Sequence, residues 1–408
     1  MNCKKINKIL SETSYIRVSG TAEEKKCAEY IKSLCSDINI KAKIEPFPIL
    51  LYDINKAKLV VNGKEIVCKG YFGVPSGNVK GKLYYLRTID DISLKKCKDR
   101  IVLMDKGMNY NIHDKLVENG AKGFITYNGN MAFNDKDIDQ REIRFDVIGG
   151  NSIPGVNIHI TDAFDIVEFE GKLAEIEIEQ NAYSGQSYNV IADIKGETDD
   201  MIVISAHYDT TVLSKGAYDN MSSCIGMLYL AEYFSENRPK RSVRLLWCGS
   251  EERGLLGSTN FCRSRKDETL KPILNINLDM LGSAMGGFVA FSCTNQDMAD
   301  FIKGFLHKHR FSGEVRYGIR SSDSNSFVHF GIPAVSFARY APSGVAPIHT
   351  RYDTKEYVSA KQLLKDMKII TSFTDFFANV DEIPLSLKIS EKIKTDVENY
   401  MFRKLSNK

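Results

Sequence analysis

The sequence lacks the paired cysteines of zinc ribbons and the even cysteine frameworks of small secreted domains. Its nine cysteines, an odd number, are scattered from Cys3 to Cys293 without a Cys-x-x-Cys pair. This pattern predicts free thiols in a reducing compartment, and it argues against both a disulfide framework and a cysteine-ligated zinc. We therefore expect a cytoplasmic protein.

Long apolar runs are also missing. Lysines near the start of the chain are not followed by a continuous apolar segment, and no run approaches the roughly 20 apolar residues of a membrane span. A strong charge of either sign is absent as well, because 55 basic and 52 acidic residues give a formal net charge of +3. We therefore expect no signal peptide, no membrane partner and no nucleic-acid partner.

The length, 408 residues, exceeds that of one ordinary core and predicts two domains or one domain with an insertion. Residues 1–48 and 181–383 alternate helix and strand patterns, which is typical of one α/β domain. Residues 49–180 contain short strands, one of them expected at 153–160, and glycine turns, and they form the expected insertion. The segment Tyr183–Asn189 is expected to be the linker that returns the chain to the first domain.

The end of the chain, residues 384–408, is expected to form an amphipathic helix. Five apolar residues stand at four-residue spacing among charged residues: Ile389, Ile393, Val397, Met401 and Leu405. Such a stripe covers one face of a helix. It would either pack on the core or contact a second subunit.

Four apolar strands are each followed by residues that bind metals or move protons. The first is Met201–Ile204 and the second is Val243–Cys248; the third begins at Pro272 and the fourth at Ile332. Ligands of open α/β sheets lie outside the carboxyl ends of the strands. The side chains expected at that edge are His207, Asp209, Asp219, Glu251, Glu252, Asp279 and His349.

So many carboxylates at one edge would repel one another and raise their own pKa values unless cations were bound. Two divalent ions would supply four positive charges and remove this conflict. A set of imidazole and carboxylate ligands without thiolates suits zinc, and cobalt or manganese would also fit. The sequence therefore predicts two divalent metal ions as cofactors.

The motifs that carry these residues resemble those of family 28 of the metallopeptidases. They are His-x-Asp at 207, Gly-Ala-x-Asp-Asn at 216, Glu-Glu-x-Gly-Leu-x-Gly-Ser at 251, Asn-Leu-Asp-Met-x-Gly at 277, Ser-Asp-Ser at 322 and His-Thr at 349. The family includes co-catalytic zinc aminopeptidases, aminopeptidase Y, glutamate carboxypeptidase and the transferrin receptor. The resemblance implies a three-layer αβα zinc-exopeptidase fold with a mixed, largely parallel central sheet.

The insertion resembles the protease-associated domain, a small β-rich module found in several peptidase families. The resemblance is carried by Arg100-Ile-Val-Leu-Met104, Gly120-Ala-Lys-Gly123 and Ile153-Pro-Gly-Val-Asn-Ile158. Several members of the metallopeptidase family contain such an insertion. We therefore expect residues 49–180 to be a protease-associated domain.

The family resemblance also implies a role for each residue of the site. His207 and Asp279 would bind one metal, Glu252 and His349 would bind the other, and Asp219 would bridge the two. Asp209 would orient His207, and Glu251 would be the general base. The peptide bond after the bridging aspartate is commonly cis in the family, so Asp219–Asn220 is expected to be cis. Ser223 stands where many relatives have glycine, which affects no ligand.

The implied activity is hydrolysis of N-terminal peptide bonds by a di-zinc aminopeptidase, with a water bridging the metals and Glu251 as general base. Alternatives are a carboxypeptidase or small-amide hydrolase on the same site, and a non-catalytic binding protein of the transferrin-receptor kind. Arg339 and Tyr340 are candidate substrate contacts. The expected partner is a peptide substrate, and the oligomeric state is left open.

Overall fold

The computed structural model describes residues 1–105, 107–143, 151–265 and 268–401. The chain divides into two compact units, one formed by residues 1–49 and 185–401 and the other by residues 50–184. That the second unit is a protease-associated domain stays a prediction.

Helices and strands alternate along both units. The helices are α1 (Cys3–Glu12), α2 (Ala22–Ser36), α3 (Asp91–Lys95), α4 (Tyr110–Glu118), α5 (Ile160–Val167), α6 (Ser222–Glu236), α7 (Leu256–Ser264), α8 (Gln296–Lys308), α9 (Ser324–His329), α10 (Ala360–Asn379) and α11 (Glu391–Met401). The strands are β1 (Ala42–Val61), β2 (Lys64–Ile66), β3 (Cys68–Gly70), β4 (Gly77–Leu86), β5 (Arg100–Met104), β6 (Gly123–Asn128), β7 (Gly155–His159), β8 (Leu173–Ile194), β9 (Thr198–His207), β10 (Arg241–Cys248), β11 (Lys271–Leu278), β12 (Gly287–Cys293), β13 (Glu314–Tyr317) and β14 (Ala334–Tyr340).

A mixed sheet forms the middle of the first unit, with the strand order β13-β12-β14-β11-β9-β10-β8. Strands β14, β11, β9 and β10 run parallel to one another. Strand β8 is antiparallel to β10 and β12 is antiparallel to β14, while β12 and β13 are parallel. The predicted mixed, largely parallel sheet is confirmed.

Helices cover both faces of this sheet. Successive side chains of the central strand β9 point to opposite sides, and because both sets are apolar, each side is buried. Ile202 and Ile204 belong to the core that contains helices α1, α2, α6 and α10. Met201 and Val203 pack on the other side, with Phe261 of α7 among their neighbours. Burial on both faces explains why β9 reads as an unbroken apolar run. The predicted three layers are confirmed.

Helix α6 is buried along most of its length and follows directly after the turn that contains Asp219. A Cβ atom at Gly226 would lie 2.7 Å from the sulfur of Met367 on α10, so glycine permits the two helices to approach closely. Trp247, the single tryptophan of the chain, is fully buried in β10. Its indole N–H donates to the Cys224 carbonyl of α6 over 3.1 Å.

In the second unit the strand order is β8-β4-β5-β6-β7-β3. Strand β1 pairs with β2 through the turn Asn62-Gly63, where both residues have positive φ, as a two-residue type I′ hairpin requires. The boundary between the two units falls inside the expected linker Tyr183–Asn189, and this segment belongs to strand β8. The strand expected at 153–160 ends one residue early, because Ile160 begins helix α5.

The tail of the first unit packs on its own core. Ile389, Ile393 and Val397 are buried in a cluster with Val289 and Phe291 of strand β12. The helix begins at Glu391, later than expected, and the predicted residues 402–408, including Leu405, lie outside the described residues. All nine cysteines are free thiols, as expected. No helix in the described ranges combines the length and apolar character needed to cross a membrane.

Candidate metal centre

The site lies where the chain reverses direction across the sheet, on either side of β9. His207 is the last residue of β9 and pairs in register with Cys248, the last residue of β10. Asp279 directly follows β11, on the other side of β9. Such a switch point leaves a crevice at the carboxyl ends of the strands, which is where ligands bind in open α/β sheets.

The turn Ala217–Met221 places Asp219 in this crevice. The peptide bond between Asp219 and Asn220 is cis, as expected. The Asn220 side chain donates to the Leu278 carbonyl over 3.0 Å and accepts from the Met280 N–H over 2.9 Å. The turn is thereby fixed to both neighbours of Asp279 on the adjacent strand.

The Asp219 carboxylate faces two imidazole rings. Its Oδ1 lies 3.1 Å from Nε2 of His207, and its Oδ2 lies 3.2 Å from Nε2 of His349. His349 belongs to the loop after β14, more than a hundred residues further along the chain. One aspartate therefore connects two histidines that the sequence separates widely.

Two groups of ligand atoms result, and they share Asp219. The first consists of His207, Asp219 and Asp279, and the second of Asp219, Glu252 and His349; within each group the ligand atoms lie within 4.8 Å of one another. Each group can hold a cation. Asp279 Oδ1 and Glu252 Oε1 are buried without a hydrogen-bond partner among the described residues, as expected of atoms reserved for a metal.

Protons take the place of cations when the site binds no metal. Burial alone would lower the pKa of His349, but the Glu252 and Asp219 carboxylates raise it to about 12. The pKa of His207 is likewise raised well above its usual value, because Glu251, Asp209 and Asp219 outweigh the effect of burial. Metal binding would have to displace these protons, so it should be strongly pH-dependent.

Asp209 belongs to neither group and instead supports both. Its Oδ1 lies 3.5 Å from Nδ1 of His207, the ring nitrogen opposite to the one that faces Asp219. The same carboxylate accepts the backbone N–H groups of Glu251 at 3.0 Å and Glu252 at 3.2 Å. Asp209 thus holds the histidine ring and the glutamate loop in one arrangement, and such contacts fix ligand orientation.

Glu251 stands beside the first group. Its Oε2 lies 3.9 Å from Nε2 of His207, and its side chain is 11% exposed. Burial raises the pKa of Glu251 well above its usual value, and the carboxylates of Asp323, Glu252 and Asp279 raise it further, against a lowering effect of His207. A carboxylate with an elevated pKa at the edge of a cation site has the properties of a general base.

Asp353 and Arg320 also contact the site, although no role was predicted for either from the sequence. Asp353 accepts the N–H groups of Tyr218 at 2.9 Å and Asp219 at 3.0 Å. Arg320 donates to Oδ2 of Asp279 over 2.8 Å. The only feature of the sequence that could have pointed to Asp353 is its position three residues after the His-Thr motif. No feature of the sequence near Arg320 indicates its contact with Asp279.

The two candidate substrate contacts have different surroundings. Arg339 donates to both carboxylate oxygens of Asp366 and to the Gly286 carbonyl, so its head group is already bound within the fold. The ring of Tyr340 lies 5.3 Å from the guanidinium of Arg320, which places Tyr340 next to the site. Tyr340 stays a candidate substrate contact.

Comparison with known proteins relates this chain to peptidases. Residues 189–374, which include all the candidate ligand side chains, match the model of peptidase family M28. The aminopeptidase YwaD of Bacillus subtilis (strain 168) is 26% identical over 410 aligned residues, which cover 94% of this chain and 86% of that protein.

Solved structures match nearly the whole chain. BSAP, described as a zinc aminopeptidase from Bacillus subtilis, is 25% identical with a TM-score of 0.75, covering 96% of this chain and 99% of that one. An aminopeptidase from Aneurinibacillus sp. strain AM-1 is 24% identical with a TM-score of 0.74, covering 96% and 98%. The latter likeness shows the fold alone.

Proposed function

We propose that this chain is a metal-dependent aminopeptidase of peptidase family M28, because residues 189–374 match the model of that family and because the site has the geometry of a metal centre. The observation that carries the proposal is the Asp219 carboxylate between His207 and His349, with one oxygen about 3 Å from each ring. The aminopeptidases similar to this chain support a peptide as the substrate.

We assign two ions to the site, most simply zinc, with cobalt or manganese as substitutes. His207 and Asp279 would bind one ion, Glu252 and His349 the other, and Asp219 would bridge them. Imidazole and carboxylate donors suit these metals. When bound, the ions would activate the attacking water and polarise the scissile carbonyl.

The chain's own residues would move the proton. Glu251 accepts the proton of the attacking water and then donates it to the leaving amine, for which its elevated pKa is suited. Asp209 keeps the His207 ring and the backbone of Glu251 in place during this transfer. The clustering of His207, Asp219, Glu252, Asp279 and His349 in two groups of ligand atoms supports catalysis over a receptor-like binding role.

The second unit has no ligand in either group, and we propose that it is a protease-associated domain. The cytoplasmic location expected from the free thiols also remains a prediction.

A panel of substrates tests the proposal. The zinc-loaded protein is assayed with aminoacyl-nitroanilides, with their N-acetylated forms, and with peptides blocked at the carboxyl end. An aminopeptidase cleaves the substrates with a free amine and not the acetylated ones. Equal cleavage of acetylated substrates would point to an amide hydrolase, and dependence on a free carboxyl end to a carboxypeptidase. No turnover with two bound ions would favour a binding protein.

A further inference from the structure

Arg17 lies between helices α1 and α2, and its side chain is fully buried. The guanidinium donates hydrogen bonds to backbone carbonyls on several segments. Its Nε donates to the Tyr208 carbonyl over 2.7 Å, Nη1 donates to the Lys215 carbonyl over 2.8 Å, and Nη2 donates to the Gly216 carbonyl over 3.1 Å. Nη1 also donates to the carbonyls of Thr13 and Tyr15.

Three of these carbonyls belong to the two segments that carry His207 and Asp219, two of the three proposed ligands of the first ion. Tyr208 stands between His207 and Asp209, while Lys215 and Gly216 lead into the turn of Asp219. The guanidinium therefore joins the end of β9 to the beginning of that turn at a single point.

Gly216, at the start of this turn, is closely packed against Arg17 and Thr210. Gly216 has a φ of +56°, and a Cβ there would lie 2.7 Å from Nη2 of Arg17 and 2.2 Å from Cγ2 of Thr210. The backbone N–H of Arg17 donates to the Thr210 hydroxyl over 2.8 Å, and the Thr210 N–H donates to the Arg17 carbonyl over 3.2 Å. The turn consequently has little freedom to shift relative to β9.

A further contact links the same stretch of chain to the site. Ser19, two residues after Arg17, donates its hydroxyl to Oδ2 of Asp209 over 3.2 Å. The segment from Arg17 to Ser19 thus contacts both the residues that follow β9 and the residues that lead into the Asp219 turn.

A buried positive charge is costly unless its donors are well matched. The described hydrogen bonds of the Arg17 guanidinium all go to carbonyl oxygens, so carbonyl dipoles, and not an ion pair, compensate the charge. A planar fork of five N–H donors can bind several carbonyls in fixed directions at once, which the point charge of lysine cannot do. The planar shape of the Arg17 guanidinium, and not only its charge, therefore determines which carbonyls it can bind together.

We propose that Arg17 is a positioning residue for the metal centre, which fixes Asp219 relative to His207 through the backbone. The inference rests on the proposed function, because it takes Asp219 as the ligand shared by the two ions. Since both ions would use Asp219, loss of Arg17 should weaken both.

Arg241 provides a matched control. It too is a nearly buried arginine of the first unit, and it donates to the carbonyls of Phe377, Val380 and Asp381. It begins strand β10, whereas the site lies beyond the other end of that strand. Replacing it should lower stability without touching the metal ligands.

The experiment compares R17K and R17Q with R241K and R241Q in the full chain. Zinc affinity is measured by competition with a chelator, below the melting temperature of each variant. Thr210→Ala, which removes the hydroxyl that accepts the Arg17 backbone N–H and the methyl group beside Gly216, gives a milder perturbation if R17Q does not fold. Electron paramagnetic resonance of the cobalt-loaded protein reports the magnetic coupling expected through a shared carboxylate.

All four arginine variants should melt at lower temperature. Only the Arg17 variants should lose about 10- to 100-fold in metal affinity for both ions, the usual effect of removing a group that orients ligands, together with part of the cobalt coupling. Wild-type affinity and coupling in R17K, R17Q and Thr210→Ala would overturn the positioning role, as would an equal loss in the Arg241 variants. A wild-type protein that binds one ion, or two uncoupled ions, would instead refute the bridging assignment.

Discussion

Arg320 binds one oxygen of Asp279 and leaves the other without a hydrogen bond. Its Nη2 lies 2.8 Å from Oδ2, whereas Oδ1 lies 3.8 Å from Nε2 of His207 and has no described hydrogen-bond partner. The two oxygens of one carboxylate are therefore used differently, and the oxygen that faces the histidine is the one available to an ion.

Replacing Arg320 by methionine should move the acidic limb of kcat/KM to higher pH by about one unit. The guanidinium brings a positive charge next to the site, and a nearby positive charge favours the deprotonated form of acids. The measurement is the pH profile of kcat/KM on an aminoacyl substrate.

Arg316→Met is the control for Arg320→Met. Arg316 also lies near the ring of Phe291, but its partner is the exposed Glu314. Its replacement should leave the profile unchanged. An unmoved acidic limb in the Arg320 variant would show that its charge does not act on the reacting groups.

Glu251→Gln and Glu252→Gln should separate the two neighbouring glutamates. The first should retain its metal while kcat falls by about 100- to 10,000-fold, the usual contribution of a general base. The second should lose metal, because Oε2 of Glu252 lies 3.1 Å from Nε2 of His349 in the second ligand group. Metal content by atomic absorption and kcat are measured on the same preparations. Substantial turnover by metal-loaded Glu251→Gln would remove Glu251 from the role of base.

Asp353→Asn should weaken the turn that carries Asp219. An asparagine has one carbonyl oxygen for two N–H donors, those of Tyr218 and Asp219, so one donor is left buried and unpaired at a cost of about 1–3 kcal/mol. We expect a lower melting temperature and weaker zinc binding in chelator competition.

Asp366→Asn is the control for Asp353→Asn. Asp366 is equally buried, and its described partners are Arg339, Gly282 and Gln362. It should destabilise the fold with little change in zinc affinity. If both variants lose zinc affinity to the same extent, Asp353 affects zinc binding only through the general stability of the fold.

Glu24 should make stability depend on pH. It closes the cap of α2 by accepting the Gly20 N–H over 2.6 Å, and it also accepts the Ser187 hydroxyl. Burial, and then the charge of Asp209, raise its pKa from 4.5 to about 8. The folded state therefore keeps a proton that the unfolded chain releases, so this contribution to stability is complete below about pH 4.5 and is lost as the pH rises to about 8.

Glu24→Gln carries no titrating proton and is the test of this dependence. Its melting temperature should rise relative to that of wild type between pH 5 and pH 9. If the difference between the two melting temperatures stayed constant across that pH range, Glu24 would be ionised throughout it in the folded protein.

Local patterns in the sequence predicted much of the fold and the side chains that meet at the candidate site, whereas the role proposed for each side chain came from the family resemblance. Apolar runs predict buried strands, and polar residues just beyond them predict a site at one edge of the sheet. Arg17 and Arg320 could not be predicted in the same way. The carbonyls that Arg17 binds near the site belong to residues 191, 198 and 199 positions away, and a backbone carbonyl has no signature in the sequence.

In two places local composition did not reveal the backbone conformation. The polar, glycine-containing segment Tyr183–Asn189 has the composition of a linker, but its backbone continues strand β8. Ile160 follows apolar strand residues, yet His159 caps a helix there by accepting the N–H of Thr161.

The position of Trp247 has a practical consequence. Because it is the only indole in the chain, all tryptophan emission comes from one buried point in the strand next to His207 and against the helix that follows the Asp219 turn. Fluorescence therefore offers a label-free optical reporter for this region. Quenching by a coloured ion such as cobalt could be followed in real time, without any engineered probe.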